Sequence, residues 1–287
     1  MTKGYVCVVQ NNKETNYLDL AYYLALSIKS TQTIVNKLSI ITDIDVPLEY
    51  QPAFDKIIVI KNDRANNSEW KLHNIVDLYD YTPYDETVIL DSDMLFLTDV
   101  SHWWDIFNVQ DMWFTSHIKN HRGEFIDDLK TIYRQEFLKN QLPSIYMAFT
   151  YFKKSELAES IFNEARNICE NWDEYCNTFL INKKPKVFST DVAFALAIQI
   201  LGVKNQVINP VLDFPYFIHM KTENQNWNLA NYKIYDDWSN YIFVGYEEIL
   251  NQLSIIIGGT RQQGILHYHV KTFLDDNMKR ILEQAND

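Results

Sequence analysis

Between Tyr5 and Leu97 short apolar runs alternate with segments of helical periodicity, and that alternation leaves few folds open. Tyr5–Gln10 reads as a buried strand, and Tyr17–Lys29 follows it with Leu20, Ala21, Leu24, Ala25 and Ile28 at helical spacing. Strand-like Leu38–Thr42 and Lys56–Ile60 come next, separated by a loop holding Pro47 and Pro52. Ser68 is placed to cap a helix whose Leu72, Ile75, Val76 and Tyr79 share a face and which ends before Pro83. Short links between such elements imply an α/β fold with a mostly parallel sheet and helices on both faces. Ligands of such sheets sit beyond the carboxyl ends of strands.

The next run, Val88-Ile89-Leu90-Asp91-Ser92-Asp93-Met94-Leu95-Phe96-Leu97, sets two carboxylates inside an otherwise apolar stretch. Two readings are open. In one, the run is a single strand buried on both faces, Asp91 and Asp93 point the same way at i and i+2, and a hard divalent cation answers their charge. In the other, the strand ends at Leu90 and the aspartates cap the following loop. The apolar flanks on both sides favour the first, and an ion held by few protein carboxylates keeps positions open for substrate phosphates.

Beyond Asp99 the pattern is less regular. An aromatic segment holds Trp103, Trp104, Phe107, Trp113 and Phe114, and a polar stretch runs from His117 to Glu124. Glu124–Asn140, Ser155–Trp172 and Thr190–Leu201 read as helices, the last opened by Ser189 or Thr190, and Ser144–Phe152 reads as a strand. Tyr232–Val244 has hairpin-like composition, and Thr272–Gln284 begins with Thr272 and Asp275 in a capping-box arrangement. No repeat or Pro/Gly-rich linker marks a boundary, so residues 1–287 are expected to form one elaborated domain, with 1–100 as the ligand-binding half.

A formal charge of −12 opposes a surface that attracts polyanions throughout, although a local basic groove stays open. The 18 Tyr, 16 Phe and 7 Trp suit sugar or base pockets, and they suit ordinary cores better. Cys7, Cys169 and Cys176 do not have zinc-site spacing and read as reduced thiols, which with the absence of a signal-like apolar start leads us to expect a cytoplasmic protein. Leu253–Gly259 is far shorter than the roughly 20 residues of a membrane span.

With the element order established, the chain resembles GT-A-fold glycosyltransferases, nearest to the glycogenin-like group of galactosyl- and glucosyltransferases known as family 8. The resemblance rests first on Trp70-Lys71-Leu72-His73 followed, after a helix, by Val88-Ile89-Leu90-Asp91-Ser92-Asp93. It implies a Rossmann-like nucleotide-sugar-binding sheet, with 101–287 carrying the acceptor half and a C-terminal metal and phosphate segment. It also implies that Asp91 and Asp93 hold Mn2+ or Mg2+ against the diphosphate of a nucleoside diphosphate sugar, a UDP-sugar first of all. Lys71 would lie near the phosphates or the donor sugar, and Ser92 would count among the donor contacts. Val8-Val9-Gln10 through Tyr17 to Lys29 places Tyr17 on the base, with Gln10 and Asn11 beside base or ribose. Arg64 occupies the loop where the family has an arginine facing the diphosphate, and a fork-shaped cation suits phosphate oxygens.

Phe188-Ser189-Thr190-Asp191-Val192 resembles the segment whose carboxylate faces the donor sugar, which makes Asp191 the catalytic-side carboxylate; helix-dipole stabilisation of a first-turn aspartate is its structural alternative. Gly264-Ile265-Leu266-His267-Tyr268-His269-Val270-Lys271 resembles the family's metal-binding histidine and phosphate-binding lysine, here His267 and Lys271 with His269 as the alternative ligand. On a strand these three would share a face. Imidazole beside two carboxylates favours Mn2+. The chain departs from the family where Thr272-Phe273 replaces Pro-Trp and Tyr146-Met147-Ala148 replaces a small polar-glycine turn.

The implied activity is metal-dependent transfer of a sugar to a hydroxyl with retention. Three segments, His121-Arg122-Gly123-Glu124, Leu142-Pro143-Ser144 and Tyr151-Phe152-Lys153-Lys154-Ser155, resemble uncharacterised glycosyltransferases of tailed phages and bacteria. That leaves a glycan or protein hydroxyl and a hydroxymethylated base in phage DNA as acceptors. His117, Lys119, His121, Arg122, Lys153 and Lys154 would form the phosphate rim for DNA, or else a solvated face. Two other classes compete. A metal-dependent nucleotidyltransferase also uses paired aspartates, but no Gly-x-x-x-x-Gly-Lys-Ser/Thr loop occurs and the chain has 7 glycines in all. A non-catalytic sugar- or partner-binding module could keep the fold.

Overall fold

The computed structural model describes residues 1–65, 68–69, 71–126, 134–209, 211–220, 244–250 and 252–286. The first half runs β1 (Lys3–Val9), α1 (Tyr17–Thr31), β2 (Leu38–Thr42), β3 (Ile57–Val59), α2 (Leu78–Tyr81), β4 (Glu86–Leu90), β5 (Met94–Phe96), α3 (Trp103–Phe107), β6 (Met112–Thr115), β7 (His117–Lys119) and β8 (Phe125–Ile126). Then come α4 (Gln135–Asn140), β9 (Tyr146–Lys153), α5 (Glu156–Glu170), α6 (Trp172–Phe179), α7 (Thr190–Leu201), α8 (Lys204–Val207), β10 (Tyr216–His219), β11 (Val244–Ile249), β12 (Gln252–Ile257), β13 (Thr260–Arg261), β14 (Ile265–His267) and α9 (Asp276–Gln284).

The central sheet has the order β3-β2-β1-β4-β9-β6, in which β3, β2, β1 and β4 are parallel and β9 turns antiparallel. It is buried on both faces because successive side chains of a strand alternate. Tyr5, Cys7 and Val9 of β1 enter the core that includes α1, while Val6 enters the opposite core with α5 and α7. The helices start where their caps allow: Asn16 accepts from Asp19 N, Ser155 from Ala158 N, Ser189 from Val192 N and Asp275 from Met278 N. Trp103, Trp104, Phe107, Trp113 and Phe114 are all buried, so this aromatic segment is core. Among the described residues no helix is long and apolar enough to cross a membrane.

A second sheet, β5-β14-β10-β7-β8, brings the chain's distant parts to the end of β4. Here the single-strand reading of Val88–Leu97 is corrected. The strand stops at Leu90, Asp91-Ser92-Asp93 forms a turn, and Met94 opens β5 in the other sheet. The backbone ties the turn to both: Asp91 N donates to Ala148 O at 3.2 Å, and Asp93 O accepts from Tyr268 N at 3.1 Å. Apolarity continues across the break because β5 is as fully buried as β4.

Three further expectations change. The helix expected from Ser68 begins at His73 with a 3-10 turn and no side-chain cap, because the residue before the turn is Leu72, which has no acceptor to offer. Asp275, not Thr272, caps α9. Of Glu124–Asn140, only Gln135–Asn140 is helical among the described residues, with 127–133 outside them. Residues 232–243 of the expected hairpin, and Trp70 of the lysine-bearing segment, also lie outside the described residues.

Candidate active site

The carboxyl ends of β1 and β4 open onto a cavity of about 640 Å³, where an α/β sheet is expected to bind ligands. β1 leads to Gln10 and, past its loop, to Tyr17 at the start of α1; β4 leads to Asp91, Ser92 and Asp93. β14 is the antiparallel neighbour of β5 in a register that sets His267 opposite Met94, one residue from Asp93. That pairing, not i and i+2 alternation, gathers the acidic turn and the imidazole.

His267 Nε2 lies 3.2 Å from Asp93 Oδ1 and 3.9 Å from Asp91 Oδ2. One donor atom from each of the three falls within 4.8 Å of the others. Two carboxylates and an imidazole at that separation fit a divalent ion of the Mn2+ or Mg2+ kind with positions left for a ligand. Lys271 ion-pairs with Asp93 from 178 residues further along the chain, and its ammonium sits 5.1 Å from the Tyr17 ring centroid. His269 also lines the cavity, but its φ of 65° ends the strand, so the expected His267-His269-Lys271 face is corrected to a wall built by a turn.

The two aspartates differ electrically. Burial pushes the Asp91 carboxyl up to about 6, with repulsion from Asp93 and Asp191 adding to it and His267 opposing. Burial works against the Asp93 charge too, but His267 and Lys271 outweigh it and hold this carboxyl well below the ordinary range. Lys271 is raised in turn, because the Asp93 charge outweighs its own desolvation.

Asp191 lies in the first turn of α7 and lines the same cavity. Its Oδ1 accepts from Met147 N at 2.9 Å and its Oδ2 from Arg134 Nη1 at 2.7 Å. Arg134 was not singled out by the sequence. Its side chain is 4% exposed, donates through Nη2 to Ser144 Oγ and Ile145 O, and lies between the Phe137 and Tyr146 rings at 3.9 and 4.0 Å. A single arginine next to an irregular segment gives no pattern to read. His219 is also new: it is buried in the cavity wall, pairs in register with His267 and brings its ring to 4.8 Å from it. A histidine inside the apolar Tyr216–Met220 run was the available signal.

Gln10, Tyr17, Lys71, Ser92, Asp191 and Lys271 line the cavity together with the acidic turn and His267. Gln10 is held by a polar network, donating to Asp43 at 2.9 Å and Asp63 at 3.2 Å. Two expected residues are not among the lining. Asn11 turns back to accept from Leu18 N at 3.2 Å, and its neighbour Asn12 lines the cavity instead. Arg64 is drawn toward α2 and α5, 2.6 Å from both Asp77 and Glu170.

No family model matches the chain, and no curated protein does. Solved structures do. A galactosyltransferase, LgtC, in complex with donor and acceptor sugar analogues superposes with a TM-score of 0.52 at 12% identity, covering 99% of this chain and 95% of that one. The glycosyltransferase GlyE of Streptococcus pneumoniae TIGR4 superposes with a TM-score of 0.50 at 12% identity; 99% of this chain is covered, spanning 60% of GlyE. At that identity the shared property is architecture, and the chain has the GT-A fold.

Proposed function

We propose that this protein is a glycosyltransferase that moves a sugar from a nucleoside diphosphate sugar to a hydroxyl, with Asp91, Asp93 and His267 holding a divalent ion. The observation that carries the reading is the convergence of these three side chains and Lys271 in one cavity at the carboxyl ends of β1 and β4. When bound, the ion would supply Lewis-acid stabilisation to the departing diphosphate. Lys271 answers the same charge from the cavity wall, and its place over Tyr17 supports a role for that ring against the nucleotide base. Lys71 serves the phosphates or the sugar, Gln10 the base or ribose and Ser92 the donor, while Asn11 and Arg64 are left out. Asp191, fixed by Arg134 and Met147 N, positions the sugar or steadies positive charge growing at the reacting carbon. Residues 1–100 supply the donor half, and 101–287 the acceptor half together with the C-terminal metal and phosphate segment. Retention of configuration is part of the proposal, as is a UDP-sugar donor. The charge of −12 favours a glycan or protein acceptor over DNA.

The test is to incubate the protein with a panel of nucleoside diphosphate sugars and Mn2+ and to follow nucleoside diphosphate release. One donor is expected to turn over, and chelation with EDTA to stop it. Binding of a donor without release from any would overturn the transferase reading. Replacing Lys271 with alanine is expected to slow release about a hundredfold, the typical cost of losing one contact to developing negative charge. An unchanged rate would remove Lys271 from the phosphate site.

A further inference from the structure

A second cavity, of about 380 Å³, lies against the second sheet and shares no lining residue with the first. Lys119 lines it from β7, with Tyr216 and Ile218 from the neighbouring β10. Ile218 and His219 are consecutive on β10, so this cavity and the histidine wall of the active site occupy opposite faces of the strand.

Its charge runs against that of the molecule. In a chain of net charge −12, the lining contributes Lys119, Arg122 and Arg261, with Asp99 as the carboxylate. Asp99 is already engaged, accepting from Thr33 Oγ1 at 2.7 Å and Ser101 N at 2.8 Å. Arg122 and Arg261 pair with Glu124 and Glu247 at 3.2 and 2.8 Å, but both pairs are about half exposed, and solvent-screened pairs of this kind are worth little and exchange readily. Lys119 has no carboxylate partner among the described residues. Its ammonium rests on the faces of Tyr216 and Phe125, 3.7 and 4.6 Å from the centroids.

The cavity is also held in shape. Asn120 Oδ1 accepts from Arg122 N at 2.9 Å and Glu124 N at 3.0 Å, fixing the turn that carries Arg122. Gln262, 3% exposed, donates from Nε2 to His121 O and Thr260 O at 2.9 and 2.7 Å, which joins that turn to the β13 segment. Gln262 Oε1 is buried and has no partner among the described residues.

We propose that this cavity is a second ligand site, for a sugar bearing a phosphate or carboxylate. Three cations answer the anion, and the volume suits one or two sugar rings. A concave site of this size in an acidic protein favours such a compact group over a nucleic acid, which is held by extended cationic surface. The proposal stands apart from the transferase reading, since the two cavities have no residue in common.

The test is calorimetric titration of the full chain in EDTA with glucose 6-phosphate, glucuronate, glucose, inorganic phosphate and a short DNA duplex. One of the two anionic sugars is expected to bind at one site per chain, at least tenfold more tightly than glucose or phosphate; which one does so tells phosphate from carboxylate. Lys119→Gln and, separately, Arg261→Gln should each weaken it at least tenfold with unchanged thermal midpoints, while Asp93→Asn leaves it unaltered. No saturable binding, binding insensitive to both cation variants, loss in Asp93→Asn, or tighter binding of the duplex would each overturn the assignment.

Discussion

Replacing Asp93 with asparagine is expected to lower nucleoside diphosphate release at least about a thousandfold while the chain stays folded. The size follows from what the carboxylate does: removing it takes away a ligand of the proposed ion and the group that holds His267 and Lys271 in place, and a single contact to developing charge is already worth about 10²–10³ in rate. The fold should tolerate the change because asparagine keeps the size and the Asp93 backbone bond to Tyr268 N is untouched. Lys271 is 29% exposed, so its ammonium can turn to water rather than remain buried without an anion. Steady-state release under saturating Mn2+, with a thermal melt alongside, checks both halves. Near-wild-type release would remove Asp93 from the chemistry, and an unfolded variant would show the pair to be structural.

Arg134→Ala should have the largest effect on stability, about 3 kcal/mol, with turnover falling as well. Breaking a buried ion pair by removing one partner costs on the order of 3–5 kcal/mol, and the lower end applies because the Asp191 side chain is 26% exposed and can be partly hydrated. The substitution also strands Ile145 O and empties the slot between Phe137 and Tyr146. Asp191 would keep its bond from Met147 N and lose its second anchor, so its carboxylate would no longer be held in one orientation toward the cavity. Arg134→Lys should recover part of the stability and less of the turnover, since an ammonium cannot reproduce the fork that reaches Asp191, Ser144 and Ile145 together. Chemical denaturation at constant slope measures the first quantity, and donor turnover the second. A loss under 1 kcal/mol with wild-type turnover would contradict the role given to Arg134.

Periodicity carried much of the fold well. β2 spans Leu38–Thr42 and α7 spans Thr190–Leu201 as their patterns indicate, and α5 starts where Ser155 caps it. The apolar run through Asp91 shows where that signal fails. β4 and β5 are both fully buried, so hydrophobicity does not register the point at which the chain leaves one sheet for another. The resemblance named Asp91, Asp93, His267 and Lys271, and the fold brings them together by a register between β5 and β14 that no local window contains. Arg64 is the converse: the resemblance set it toward a diphosphate, whereas Asp77 and Glu170, the second over a hundred residues away, hold the guanidinium. Arg134 and His219 owe their positions to tertiary packing and so had little local signature.

The proposed transfer depends on Asp91, Asp93 and His267 together holding a divalent ion. Titrating the protein with Mn2+ and following loss of the free-ion paramagnetic resonance signal tests it directly, in the wild type, in Asp93→Asn and in His267→Ala. One ion per chain is predicted for the wild type, with at least tenfold weaker binding in each variant. Equal Mn2+ binding in all three proteins, or none in the wild type in the presence of a nucleoside diphosphate, would contradict it.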